Sequence, residues 1–159
     1  MPVKESVAIP LGAMRVTLGV YLLVYYGALL PGFGQYFEPG GMIDPALLVT
    51  PRLSLVLWLW SAAASRVAMG LLLVAIGLFT VGWQARRVLP VLYLLHLSFH
   101  HANPFIIHEP QQLTNLLLVV CLFLPIDCAF TVQGRVVEGL RKPSLDDARI
   151  VNALVAYLG

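Results

Sequence analysis

The chain has 159 residues, 59% of them hydrophobic and only 11% charged, and its mean hydropathy of +0.84 lies far above that of a soluble domain. Ten basic and eight acidic residues leave a net charge of +2, a poor signal for a nucleic-acid partner. Roughly 20 apolar residues cross a hydrocarbon core of about 30 Å, so this length holds four or five spans and leaves no room for a separate soluble domain.

The first predicted span covers about Pro10 to Leu30, "PLGAMRVTLGVYLLVYYGALL", with Pro10 in a tolerated first-turn position and "PGFG" as a stop. Its length and the bulky "LLPGFGQYFEPGG" that follows predict an uncleaved anchor rather than a signal peptide. The apolar run from Leu53 to Trp83 exceeds one ordinary span. Divided near Ser61, it gives a Trp-rich interfacial helix from Leu53 to Trp60 and a second span over 62–81.

Span three is expected over 88–103 and span four over 113–130, with Pro125 bending the last turns of the fourth. The polar "TVQGRVVEGLRKPSLDDAR" comes next. Over 144–158, Ser144 and Asp147 form a capping pattern, and Ile150, Val151, Leu154, Val155 and Leu158 make one apolar stripe. This predicts an amphipathic C-terminal helix on the membrane or on a partner. The expected fold is therefore an all-α integral membrane protein: four transmembrane helices, an interfacial helix before span two and a C-terminal amphipathic helix, within one membrane domain.

Lys and Arg are retained on the cytoplasmic side of a membrane. Lys4, Arg15, Arg86, Arg87, Arg135, Arg141, Lys142 and Arg149 fall on one side of a four-span chain, and Arg52 and Arg66 on the other. Both termini are expected in the cytoplasm and the histidine-rich loop outside, periplasmic in a bacterium.

The stretches "MRVTLGVYLLVYYGALLPGFGQYFEPGGMIDP" and "GLFTVGWQARRVLPVLYLLHLSFHHANPFIIHEPQQLTNLLLVVCLFLPID" resemble the horizontally transferred transmembrane (HTTM) family, bacterial relatives of vitamin K-dependent gamma-carboxylase. The shared features are an early intramembrane Arg, a "YF.P.G" turn after the first span, a histidine-containing "NP" loop and a "LFLP" fourth span. Together they cover most of 12–127. Family members have more spans and, in the carboxylases, a large lumenal domain. Resemblance to the carboxylases implies an isoprenoid quinol, oxygen and a glutamyl substrate, with only the membrane half matched here. In size the chain is similar to four-span DoxX-type proteins, which are associated with quinone and thiol redox chemistry.

All four histidines lie in "HLSFHHANPFIIHEPQQLTN", residues 96–115. His96 and His100 share a helix face, and His96 falls near mid-bilayer. A histidine there is a packing residue bonded across the bundle, a ligand for a metal, haem or pigment, or a quinone or proton-transfer contact. His96, His100, Asn103 and Gln111 are the candidate contacts for a quinone, lipid or pigment. His100, His101, His108 and Glu109 are a secondary candidate for an outer-rim metal site. Prolines in "ANP" and "HEP" frame a polar cap, in which Asn103, Gln111, Gln112, Thr114 and Asn115 can satisfy helix ends.

Arg15 and Asp127 are expected at similar depth near the inner boundary, where Arg15 snorkels to headgroups, pairs with the carboxylate as a structural clamp, or joins it in a proton relay. Cys121 and Cys128 are about 10 Å apart along one helix, too far for a disulfide. Gly70 and Gly77, with Ala63 on nearly the same face, are expected at a close helix contact. No Walker loop, dinucleotide fingerprint, nucleophile elbow or carboxylate pair is present. The expected role is a non-catalytic subunit of a larger redox or energy-converting membrane complex, contacting lipids and other membrane subunits. Alternatives are a quinone-interacting redox protein and a small transporter.

Overall fold

In the computed structural model, residues 3–38, 41, 61–103, 109–124 and 126 are described, their side chains from residue 9 onward and, in the last helix, from 112 onward. Their regular structure is helical: α1 (Val3–Leu29), a 3-10 turn (Leu30–Gly32), α2 (Phe33–Phe37), α3 (Ala62–Val81), α4 (Ala85–Ala102) and α5 (Glu109–Phe123). Among the described residues, two stretches, Ile9–Phe37 and Ala62–Val81, are long and apolar enough to cross a membrane. The helices expected over 53–60 and 144–158 lie outside the described residues, as do His108, Asp127, Cys128 and the side chains of Glu109 and Gln111.

Helix α1 starts at Val3, ahead of the expected Pro10, and therefore contains that proline. Pro10 has no amide for the carbonyl of Ser6, but one missing bond two turns from a helix end is tolerable. Pro31 occupies the start of the 3-10 turn, where a missing amide costs nothing, and the chain bends there into α2.

Ser61, itself extended, caps α3, its Oγ accepting from Ala64 N at 3.1 Å. At the other end Gly82 adopts φ +74°, with Gly82 N–H donating to Phe79 O at 3.1 Å and Trp83 N–H to Leu78 O at 2.9 Å. This paired closure satisfies carbonyls that the helix end leaves open, and it needs a residue without Cβ strain. Gln84 is also left-handed, at φ 47°, so the chain reverses within residues 82–84 and re-enters a helix at Ala85. Arg86 and Arg87 thus belong to the first turn of α4, where span three was expected to begin only at Val88. Both arginines are exposed, so the turn carries their charge without burying it.

Helix α5 stops at Phe123, short of the expected 130. Pro125 disfavours a helical conformation at the residue before it, and Leu124 N–H instead closes a tight turn onto Cys121 O at 3.3 Å.

Helix α3 packs against both α1 and α4, and α5 packs against α4. Leu18, Leu22 and Tyr26 of α1 recur at four-residue spacing and face Leu72, Ile76 and Phe79 of α3, all of them buried. Gly19 makes the α1–α3 approach possible, because a Cβ there would collide with Thr80 Oγ1 and lie 2.9 Å from Thr80 Cβ. Gly70 and Gly77 differ from expectation: a Cβ on either would meet nothing within 4 Å, so neither sits at a close contact among the described helices. The bundle interior is buried but not purely apolar, since Arg15, Ser65, His96, Ser98, Asn103 and Thr114 are all buried. The outward faces carry Val20, Val24, Val67, Leu71, Val74, Val91, Leu94 and Leu116, all exposed.

Candidate functional site

Tyr26 lies one turn before the end of α1, and His96 and His100 occupy successive turns of one α4 face. The parallel course of α1 and α4 brings the Tyr26 hydroxyl to 2.7 Å from His96 Nδ1, with both residues at most 2% exposed. A phenol is the natural donor to a neutral imidazole, which then carries its own proton on Nε2. Asn115 of α5 interacts with the same imidazole. His96 Nε2 and Asn115 Oδ1 are both buried and make no hydrogen bond of normal geometry among the described residues. In that tautomer they are a donor and an acceptor, so a small approach would join α1, α4 and α5 through Tyr26, His96 and Asn115.

Aromatic rings close the site. Phe99 lies edge-on to Tyr26 at 6.3 Å and to Phe37 at 5.1 Å, and Phe33 stacks obliquely on Phe37 at 5.5 Å. Short α2 is held over this cluster. Asn103 Nδ2 donates to Tyr36 O at 3.1 Å, serving a carbonyl at the end of α2 rather than one of its own helix. Glu38, directly after α2, accepts from Arg66 Nε at 2.6 Å and Nη2 at 3.1 Å. Arg66 therefore ties the end of α2 to α3. The hydrogen bonds from Arg66 hold the Glu38 carboxyl below its usual range.

A cavity of about 10 Å³ remains, lined by Tyr25, Tyr26, Phe37, His96, Phe99, His100 and Asn103. That is room for one water, and far below the about 300 Å³ at which ligand pockets begin. Three of the four candidate cofactor contacts, His96, His100 and Asn103, thus share one cavity, but in this conformation a quinone ring does not fit it. The fourth, Gln111, has its side chain outside the described residues.

His100 and His101 are half-buried neighbours with ring centroids 5.8 Å apart. No group of three or more His, Cys, Asp or Glu side chains converges for a metal among the described residues, and the other secondary candidates, His108 and Glu109, are not described there.

No family model, curated protein or solved structure matches the chain. The chemistry of the site therefore rests on its own atoms.

At the opposite end of the bundle, Arg15 is fully buried, which rules out snorkelling to headgroups. Its Nη1 donates to Ile126 O at 2.8 Å, and its guanidinium crosses directly over Gly82, where a Cβ would lie 2.8 Å from Cζ. The cation thus lies where α3 ends and where the chain leaves α5, beside the negative ends of two helix dipoles. Pairing with Asp127 falls outside the described residues.

Sequence reasoning missed Tyr26 and the Glu38–Arg66 pair. A tyrosine at the depth of His96 was the available signal for the first. Two opposite charges flanking one predicted outer loop were the signal for the second.

Proposed function

We propose that this chain is a four-span protein of the bacterial cytoplasmic membrane, with both termini cytoplasmic and the histidine-rich loop periplasmic. We further propose that it serves as a non-catalytic subunit of a larger membrane complex. The observation that carries the reading is the division between interior and exterior. Arg15, His96, Asn103 and Thr114 are buried, while Val24, Val67, Leu71, Val74, Leu94 and Leu116 are each more than half exposed. In water this arrangement would leave apolar side chains unburied on every long helix, whereas lipid and partner helices accept that surface at no cost.

The subunit role is supported by the open glycine face. Val67, Gly70, Leu71, Val74 and Gly77 present a face of α3 with space beside its glycines, and the water-sized cavity favours structure over ligand chemistry. Mild-detergent extraction tests it: the chain should migrate in an assembly heavier than its own 17.4 kDa plus a micelle. Gly70→Leu should shed the partners while leaving the melting temperature of the lone chain unchanged. A stable lone monomer in native membranes and in mild detergent would reject the role.

A quinone-interacting redox protein, as the family resemblance implies, is the second reading, supported by His96, His100 and Asn103 lining one cavity. It requires the cavity to widen. Stoichiometric quinone in the purified monomer, lost in His96→Ala and His100→Ala, would favour it.

A further inference from the structure

Helix α2 has five residues, too few to hold its own place, and its position depends on contacts from three directions. Phe33 and Phe37 are buried against Phe99, with ring centroids 6.4 and 5.1 Å away. Asn103 of α4 holds the Tyr36 carbonyl, and Arg66 of α3 holds Glu38. The segment is also bounded by residues that bend easily: Gly32 and Gly34 at its start, and Gly41 closing a turn onto Glu38 O at 3.1 Å.

Phe37 has two roles at once. It packs the aromatic cluster, and it is a wall of the cavity that Tyr26, His96, His100 and Asn103 also line. Under that wall, His96 is 1% exposed, and its Nε2 makes no hydrogen bond of normal geometry among the described residues, with Asn115 interacting with the same ring. Buried polar atoms in a cavity large enough for a water normally hold one, because an unmade hydrogen bond there costs more than immobilising the solvent molecule.

We infer that α2 is a plug over a hydrated polar site at Tyr26–His96: the cavity holds one water against the polar wall, and withdrawal of Phe37 opens the site to solvent at the α1 C-terminal end of the bundle. The tethers differ in kind. The Arg66–Glu38 pair is exposed on the arginine side and exchanges readily with water, so it aligns the plug more than it fixes it. The Phe37 contact excludes water and sets the closed state. Neither part of the inference depends on the subunit role, since both are properties of the chain alone.

Diethyl pyrocarbonate acylates accessible unprotonated imidazoles, and peptide mass spectrometry reads each histidine separately in the full chain in detergent. His96 should react much more slowly than half-buried His100 and His101. Phe37→Ala should raise the His96 rate by about tenfold, with His101 unchanged, as expected for a local opening rather than global unfolding. Phe37→Leu should restore slow labelling. Glu38→Gln, which removes charge from an exposed pair and leaves the fold intact, should raise the rate about twofold, the effect of a weak surface tether. Equal labelling of all three histidines in the unaltered chain, or a His96 rate indifferent to Phe37→Ala, would overturn the plug. Hydroxyl-radical footprinting addresses the water: Tyr26 should be oxidised despite its burial, and an unmarked Tyr26 would overturn hydration of the site.

Discussion

Arg15 and Ile126 are 111 residues apart in the chain and meet at 2.8 Å, guanidinium Nη1 donating to a main-chain carbonyl. The same guanidinium lies over the left-handed Gly82. One side chain of α1 thus serves the ends of two other helices, with the sign of charge that helix C-termini favour. Arg15→Met should cost about 1.5–3 kcal/mol, the range for a hydrogen bond to a charged group, read as a lower melting temperature in detergent. Arg15→Lys should fall between, because an ammonium keeps the charge but lacks the planar fork. A substitution at Gly82 attacks the same contact from the other side. Gly82→Ala should cost at least about 1 kcal/mol through its positive φ alone.

Gly19 and Thr80 make a size-sensitive contact between α1 and α3. Gly19→Ala should destabilise by about 1–3 kcal/mol through overpacking. Thr80→Ala removes the colliding hydroxyl but keeps the Cβ that would lie 2.9 Å away, so the double variant should regain only part of that loss. Strict additivity in the double-mutant cycle would show that the two residues do not touch.

Tyr26→Phe deletes one oxygen and leaves His96 Nδ1 buried without its 2.7 Å partner. The expected cost is about 1–3 kcal/mol, and the ¹⁵N shifts of the His96 ring should move toward a mixture of tautomers. An unchanged ring spectrum would mean that the hydroxyl does not set the tautomer.

Glu38 gives the outer latch a pH dependence of known sign. Its carboxyl is held below the usual value by the hydrogen bonds from Arg66, so the folded state binds its proton less readily than the unfolded chain does. The stability it contributes is present above the unfolded carboxylate pKa and is lost as pH falls through the lowered folded value. Melting temperature measured from neutral pH into the acid range should therefore fall less steeply for Glu38→Gln than for the unaltered chain. Parallel curves would remove Glu38 from the acid response.

Much of the helical framework was legible because its signals are local. Ser61 before an apolar run marks a cap, and Gly82 after one marks a stop, and the helix between them is Ala62–Val81. The start of α4 was less legible, since Arg86 and Arg87 look like loop residues until the exposed face of a first turn accepts them. The end of α5 shows how strongly Pro125 acts on the residues before it. At the sites, the limit was one of kind. Arg15 sends a sequence reader in search of a carboxylate, but its described acceptor is a peptide carbonyl, a group that every residue carries. Tyr26 and His96 lie 70 residues apart, and only the rotation and tilt of packed helices decide that they face each other. Gly70 and Gly77 illustrate the converse: their spacing suggests a helix contact, and within the described helices that side stands open.

The contact between Arg15 and Ile126 also carries a history. On the membrane reading, α1 is synthesised and inserted first, and the segment containing Ile126 emerges more than a hundred residues later. Early in that interval the arginine has neither the turn at Gly82 nor the carbonyl of Ile126, and it must remain near water or translocation machinery. The cytoplasmic end of the bundle is therefore the last to seal. An insertion intermediate arrested before α5 should leave α1 loosely seated, and the arrival of α5 completes the insertion of α1.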